Sequence, residues 1–174
     1  EASPVADSTL TFTPIEPTAG GDVPTVPAGY TVTPLVRWGD LLTADAPEFD
    51  PLNQTAAAQA VQAGYNCDYI GFLPLPIGSE SSDHGILVFN NEYANPEMMF
   101  PNYDAAATTQ EIVDVELEAH GLTIVEIVRE NGAWTTVQDS TYNRRITATT
   151  PATLTGPAAG AEWLQTSADA EGAN

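Results

Sequence analysis

The hydrophobic positions along the chain fall into short blocks separated by turn residues, not into long helical stripes. Residues 1–29 are rich in Pro, Thr, Gly and Ala and lack periodicity, which predicts an extended arm. In Tyr30–Arg37 apolar and Thr positions alternate, which predicts a strand, and Pro34 makes it an edge or broken one. Gly39 to Asn53 reads as a long acidic loop. The Ala/Gln-rich run from Gln54 to Ala63 predicts a helix stopped by Gly64. Tyr65 to Pro76 is an irregular apolar stretch, and Gly85-Ile-Leu-Val-Phe-Asn90 is the best buried strand. A capping box at Thr108-Thr-Gln-Glu111 predicts a second helix over 109–119, closed by Gly121. Strands follow at Leu122–Val128, Trp134–Gln138 and Arg144–Thr149, with Glu130-Asn-Gly132 as a hairpin turn. The sum is a mainly β protein with two short helical insertions, such as a propeller or a sandwich.

Composition narrows the function classes. With 174 residues, 43% of them hydrophobic, the chain can bury a core. Its 24 acidic residues face four arginines and no lysine, a formal charge of −20. Such a surface repels nucleic acid and anionic lipid, so neither is an expected partner. Two compatible readings explain the charge: a solvated surface in salty water, or carboxylates that hold hard divalent cations such as calcium. The single cysteine, Cys67, excludes an internal disulfide and a Cys-x-x-Cys zinc pair. The first residues, Glu1-Ala-Ser-Pro, fit a mature protein after signal-peptide removal, although an arbitrary boundary would look the same. No apolar run approaches the ~20 residues that span a bilayer.

Motifs with built-in chemistry are missing: no Gly-Lys-Ser/Thr phosphate loop, no Gly-x-Ser-x-Gly elbow, no His-Glu-x-x-His. Polar residues at strand ends remain. Glu92, just after the apolar run at Gly85, reads either as a metal ligand or as a solvated carboxylate leaving the sheet. Asp68, beside Cys67, reads either as a ligand or as a turn residue. His84 belongs to a Ser-rich exposed loop, and His120 caps a helix end. Arg144 and Arg145 are weak substrate-binding candidates, since guanidinium pairs bidentately with phosphate. A salt bridge to an acidic neighbour is the competing role for each, and only one of the pair can face a given side of a strand.

Seven collinear segments resemble one known family. They are Val26-Pro-Ala-Gly-Tyr30, Arg37-Trp-Gly-Asp40, Ala63-Gly-Tyr-Asn-Cys-Asp68 with Phe72-Leu-Pro74, Gly85-Ile-Leu-Val-Phe-Asn-Asn-Glu-Tyr93, Glu118-Ala-His-Gly121, Tyr142-Asn-Arg-Arg-Ile-Thr147 and Leu154-Thr-Gly-Pro-Ala-Ala-Gly160. From Val26 onward the chain resembles the N-terminal portion of PhoX-type alkaline phosphatases. The resemblance implies a β-propeller around a cluster of iron and calcium, hydrolysis of phosphate esters, and export to a periplasmic or extracellular space. It implies that Glu92 is a metal ligand, because the family's Asn-His-Glu-Tyr stands here as Asn90-Asn91-Glu92-Tyr93 with its histidine replaced. Cys67 does not inherit the family's iron-binding role, which belongs to an Asn-Asn-Cys-Ala-Gly-Gly-like segment farther along the family's sequence.

On this reading 30–174 is the N-terminal part of a truncated propeller domain, and most metal ligands lie outside it. The rest of the same propeller, or another polypeptide, is then the expected partner. Apolar faces near Gly85–Phe89 and Leu122–Val128 should meet that partner or lie open, and Glu92 should point into a polar, acidic pocket, incomplete in this chain, rather than into bulk solvent. The rival reading is a non-catalytic extracellular structural or assembly protein on a phosphatase-like scaffold. A calcium-binding module follows from charge alone.

Overall fold

In the computed structural model, residues 11–21 and 23–164 are described. The chain divides into two units, Glu1–Leu35 and Val36–Asn174. The described part of the first unit holds no helix or strand. Its Tyr30 hydroxyl donates to the Thr11 carbonyl at 3.3 Å, and the Phe12 and Tyr30 rings meet edge to face at 6.3 Å. The strand expected over Tyr30–Arg37 is therefore not formed. Pro34 removes one ladder donor, and among the described residues no neighbouring strand supplies the pairing that would offset the loss.

The second unit is built on a five-stranded antiparallel sheet. Its strands are β1 (Ile70–Pro74), β2 (His84–Asn91), β3 (Gly121–Glu130), β4 (Ala133–Thr136) and β5 (Arg144–Ile146), and β1–β4 lie side by side in chain order. β3 is long enough to pair β5 along Leu122–Ile124 and β4 along Ile127–Glu130. Asn131 and Gly132, at φ 51° and 83°, make the two-residue turn between β3 and β4. Their left-handed backbone matches the strand twist, as the Asn-Gly pair predicts.

β1 was not expected. Pro74, Pro76 just past it and Gly71 disguise it, but an edge strand tolerates a proline at its last position and a glycine, and β1 pairs β2 from Ile70↔Phe89 to Pro74↔Gly85. Gly85 makes room for this contact: a Cβ there would lie 2.4 Å from the Phe72 ring. Phe72 in turn meets Trp134 edge to face.

Among the described residues, three α-helices accompany the sheet: α1 (Ala56–Gln59), α2 (Pro96–Met99) and α3 (Gln110–Ala119). α3 lies where expected, but its cap is the Thr109 side chain, which accepts the Ile112 N–H, rather than Thr108. Glu111 accepts the Ala56 N–H instead of closing a capping box. The helix expected over Gln54–Ala63 shrinks to α1. Gln62 and Ala63 instead pair with the Gly39–Leu41 loop: Ala63 N–H donates to Asp40 O at 2.8 Å, and Gly39 N–H to Ala63 O at 3.0 Å. Tertiary pairing there outweighs the helix propensity of alanine and glutamine.

Side chains alternate across the sheet. One face carries Phe89, Asn91, Thr123, Val125 and Ile127, all buried. The other packs Ile86 and Ile124 with Leu75, with Val88 and Tyr142 against them. The central strands are thus largely covered by the chain itself, contrary to the expectation for Gly85–Phe89 and Leu122–Val128. What lies open is β1, with Ile70 62% and Leu73 55% exposed.

The 137–143 loop is fastened to β3 by Glu126. Ser140 Oγ donates to one carboxylate oxygen, and His84 Nε2 sits 2.6 Å from the other. His84 is therefore the first residue of β2 rather than part of an exposed loop. The Ser140 and His84 bonds hold the Glu126 carboxyl below its ordinary value of 4.5. A lowered folded pKa contributes stability above the unfolded value, and that stability is lost as pH falls through the folded one. The stability difference between wild type and Glu126→Gln, roughly 1–3 kcal/mol for bonds to a charged acceptor, is expected in full above about pH 5. It should shrink on further acidification, and urea midpoints measured across pH 3–7 check this.

Candidate functional site

The residues singled out for chemistry gather at two places. Where β1 begins and β2 ends, the loop 65–69 folds back over the strand ends. Asn66 adopts a left-handed backbone (φ 55°), and its carbonyl accepts the Glu92 N–H at 3.1 Å. Asn90 clamps the same loop. Its Oδ1 accepts the N–H groups of Asp68 and Tyr69 at 3.2 and 3.0 Å, and its Nδ2 donates to the Asp68 carboxylate. Asp68 and Glu92 therefore reach the same end of the sheet, both on exposed residues. Asn90 was missed in the sequence; its only signal was a polar residue ending an apolar strand.

Glu92 is an exposed residue just past the strand end and lines neither cavity described within this unit. A cavity of about 410 Å³ does open in this unit, but Val36, Asp40, Leu42, Glu48, Phe49 and Val125 are among its walls, and neither Glu92 nor Asp68 is. Among the described residues, no three His, Cys, Asp or Glu side chains are grouped to hold a metal ion. A Ca²⁺ ion takes six to eight oxygens. The described residues thus offer at most part of a donor set and do not by themselves fit a calcium or iron centre.

Asn91 behaves differently from its neighbours. It is 3% exposed, accepts the Thr123 hydroxyl at 2.7 Å, and Thr123 Oγ1 in turn accepts the Gly64 N–H. Gly64 has no room for a Cβ, which would lie 2.4 Å from Asn91. Asn91 is a core residue, turned away from the side on which Asn90 holds Asp68.

Arg145 forms the second gathering point. Nε donates to Leu122 O, Nη1 to Gln62 O at 2.8 Å, and Nη2 to Glu118 O at 3.0 Å and His120 O at 2.9 Å. One guanidinium thus satisfies carbonyls at the end of α3 and just past α1, where helix termini leave acceptors unpaired. Desolvation pulls its pKa down to about 10, against the opposing pull of the Glu118 carboxylate. The expected salt bridge to a carboxylate is not what holds it; backbone carbonyls are. Arg144, on the other face of β5, is exposed and donates to Tyr142 O.

His120 caps α3, its N–H and Nδ1 both on Glu116 O. Cys67 is exposed, and partial burial raises its thiol pKa, with Asp68 adding to the shift and a bond to Tyr69 O opposing it.

The family model for alkaline phosphatase PhoX matches residues 10–174. The chain belongs to the PhoX family of alkaline phosphatases. It is similar to the solved structure of Pseudomonas fluorescens PhoX in complex with vanadate, a transition state analogue, at 39% identity and a TM-score of 0.75. That match covers 83% of this chain and 24% of the PhoX chain, so the present sequence spans about a quarter of that protein's length. Among curated proteins, none matches. The sheet described above is an open antiparallel one, so within the PhoX family this region contributes a mainly β unit. No described helix is long and apolar enough to cross a membrane.

Proposed function

We propose that the chain is the N-terminal part of an exported, metal-dependent phosphatase that hydrolyses phosphate esters, with calcium and iron as its metals. The observation that carries this reading is the family match over residues 10–174, joined to 39% identity with a PhoX solved with vanadate. Glu92 supplies one carboxylate to the metal centre, and Asp68, tethered by Asn90, lies at the same end of the sheet as a second donor. The remaining ligands come from polypeptide outside these residues. When bound, the metals supply positive charge to offset the phosphoryl oxygens. Arg144 is the guanidinium left for substrate, because Arg145 is committed to backbone carbonyls. In the wider reading, 30–174 is part of a propeller whose remainder is its partner.

The replacement of the family's histidine by Asn91 speaks for a non-catalytic scaffold. Asn91 turns into the core, so the change weighs on packing rather than on the side that carries Asp68. The test is hydrolysis of p-nitrophenyl phosphate by the full-length gene product. Activity is expected at alkaline pH, to be lost on calcium chelation and to return with added calcium. A folded, metal-supplemented protein without hydrolysis contradicts the proposal.

A further inference from the structure

Among the described residues, β1 is bonded to the sheet on one side only. Leu75 N–H donates to His84 O at 3.0 Å, which sets the phase of the antiparallel ladder. Gly71 and Leu73 therefore turn their backbone groups toward β2, while Ile70 and Phe72 turn theirs outward. Around this unpaired row lie exposed apolar side chains: Tyr69, Ile70, Leu73 and, past the strand, Ile77. From Tyr69 to Ser79 no residue carries a charge, in a chain whose formal charge is −20. Charged side chains are the common means of blunting a free edge, and here only Pro74, at the strand's last position, does so.

From this row we infer that the outer edge of β1 is a strand-docking edge, and that its occupant is an extended, uncharged apolar segment of the same phosphatase polypeptide. The inference rests on the family reading, since about three-quarters of the similar PhoX chain has no counterpart in these residues. Charge separates this occupant from a second copy: two chains of formal charge −20 repel each other, whereas a neutral apolar strand meets a neutral apolar edge. Backbone bonds from Ile70 and Phe72 give the docking its affinity, and Ile70 and Leu73 provide one apolar contact on each face of the sheet.

Amide hydrogen exchange tests this. In the 174-residue chain alone, the Ile70 and Phe72 amides should exchange near the solvent rate while Gly71 and Leu73 are protected. In the full-length gene product, Ile70 and Phe72 should slow on the order of 100-fold or more. Ile70→Pro deletes an outward N–H that the isolated unit does not use. It should leave the circular dichroism of the 174-residue chain unchanged and restore fast exchange at Phe72 in the full-length protein. Fast exchange at both amides in the unmodified full-length product overturns the proposal, as does a gene product with no further chain. Protection that appears in the 174-residue chain and grows with concentration assigns the edge to a second copy and also overturns it. Phosphatase activity assayed on the same sample keeps the two readings apart: protected amides without hydrolysis defeat the functional reading and leave the docking edge standing.

Discussion

Replacing Arg145 with methionine is expected to lower the stability of the Val36–Asn174 unit by roughly 3–5 kcal/mol, because each buried carbonyl left without a donor costs about 1–3 kcal/mol. The carbonyls of Gln62, Glu118 and His120 lose their shortest partner together. Water can reach some of them, which holds the figure below the sum. Against a total of about 5–15 kcal/mol for a domain, the loss is a large fraction. Arg145→Lys keeps the charge but replaces a planar fork with one ammonium, and should recover only part of the loss. Arg144→Met is the control: exposed and bonded to a single carbonyl, it should change stability by no more than about 0.5 kcal/mol. Urea unfolding midpoints of the three variants decide the matter. Equal, small effects of Arg145→Met and Arg144→Met would show that the carbonyl hub contributes little.

What the sequence revealed, and what it hid, follows from which forces were local. β2, β3, α3 and the Asn131-Gly132 turn carry their own signals in apolar runs, a threonine cap and a left-handed dipeptide, and all four lie where expected. α1 was overextended because alanine and glutamine propensity is visible in a single segment, whereas the pairing of Gln62 and Ala63 with the Asp40 loop depends on distant residues. β1 was hidden by Pro74 and the nearby Pro76, which would stop a central strand but not an edge one. The Arg145 hub was legible only as a rare cation in an acidic chain. Its acceptors are main-chain carbonyls, which no side-chain pattern announces. For the candidate site, Glu92 and Asp68 were visible as carboxylates at strand ends, but the clamp by Asn90 and the inward turn of Asn91 depend on the fold.

Glu92 is proposed here as a ligand in the metal centre of a PhoX-type phosphatase. Glu92→Gln keeps the shape of the side chain and removes one negative charge, and Glu92 lies on an exposed segment past the last residue of β2, so folding should be preserved. Changes even in the partners of metal ligands typically cost 10–100-fold in metal affinity or activity, so a ligand's loss should reach at least about that range. In the full-length gene product, hydrolysis of p-nitrophenyl phosphate and bound calcium and iron, measured on one preparation, should fall together. A Glu92→Gln protein with unchanged activity and full metal content would make Glu92 an ordinary surface carboxylate and contradict the account.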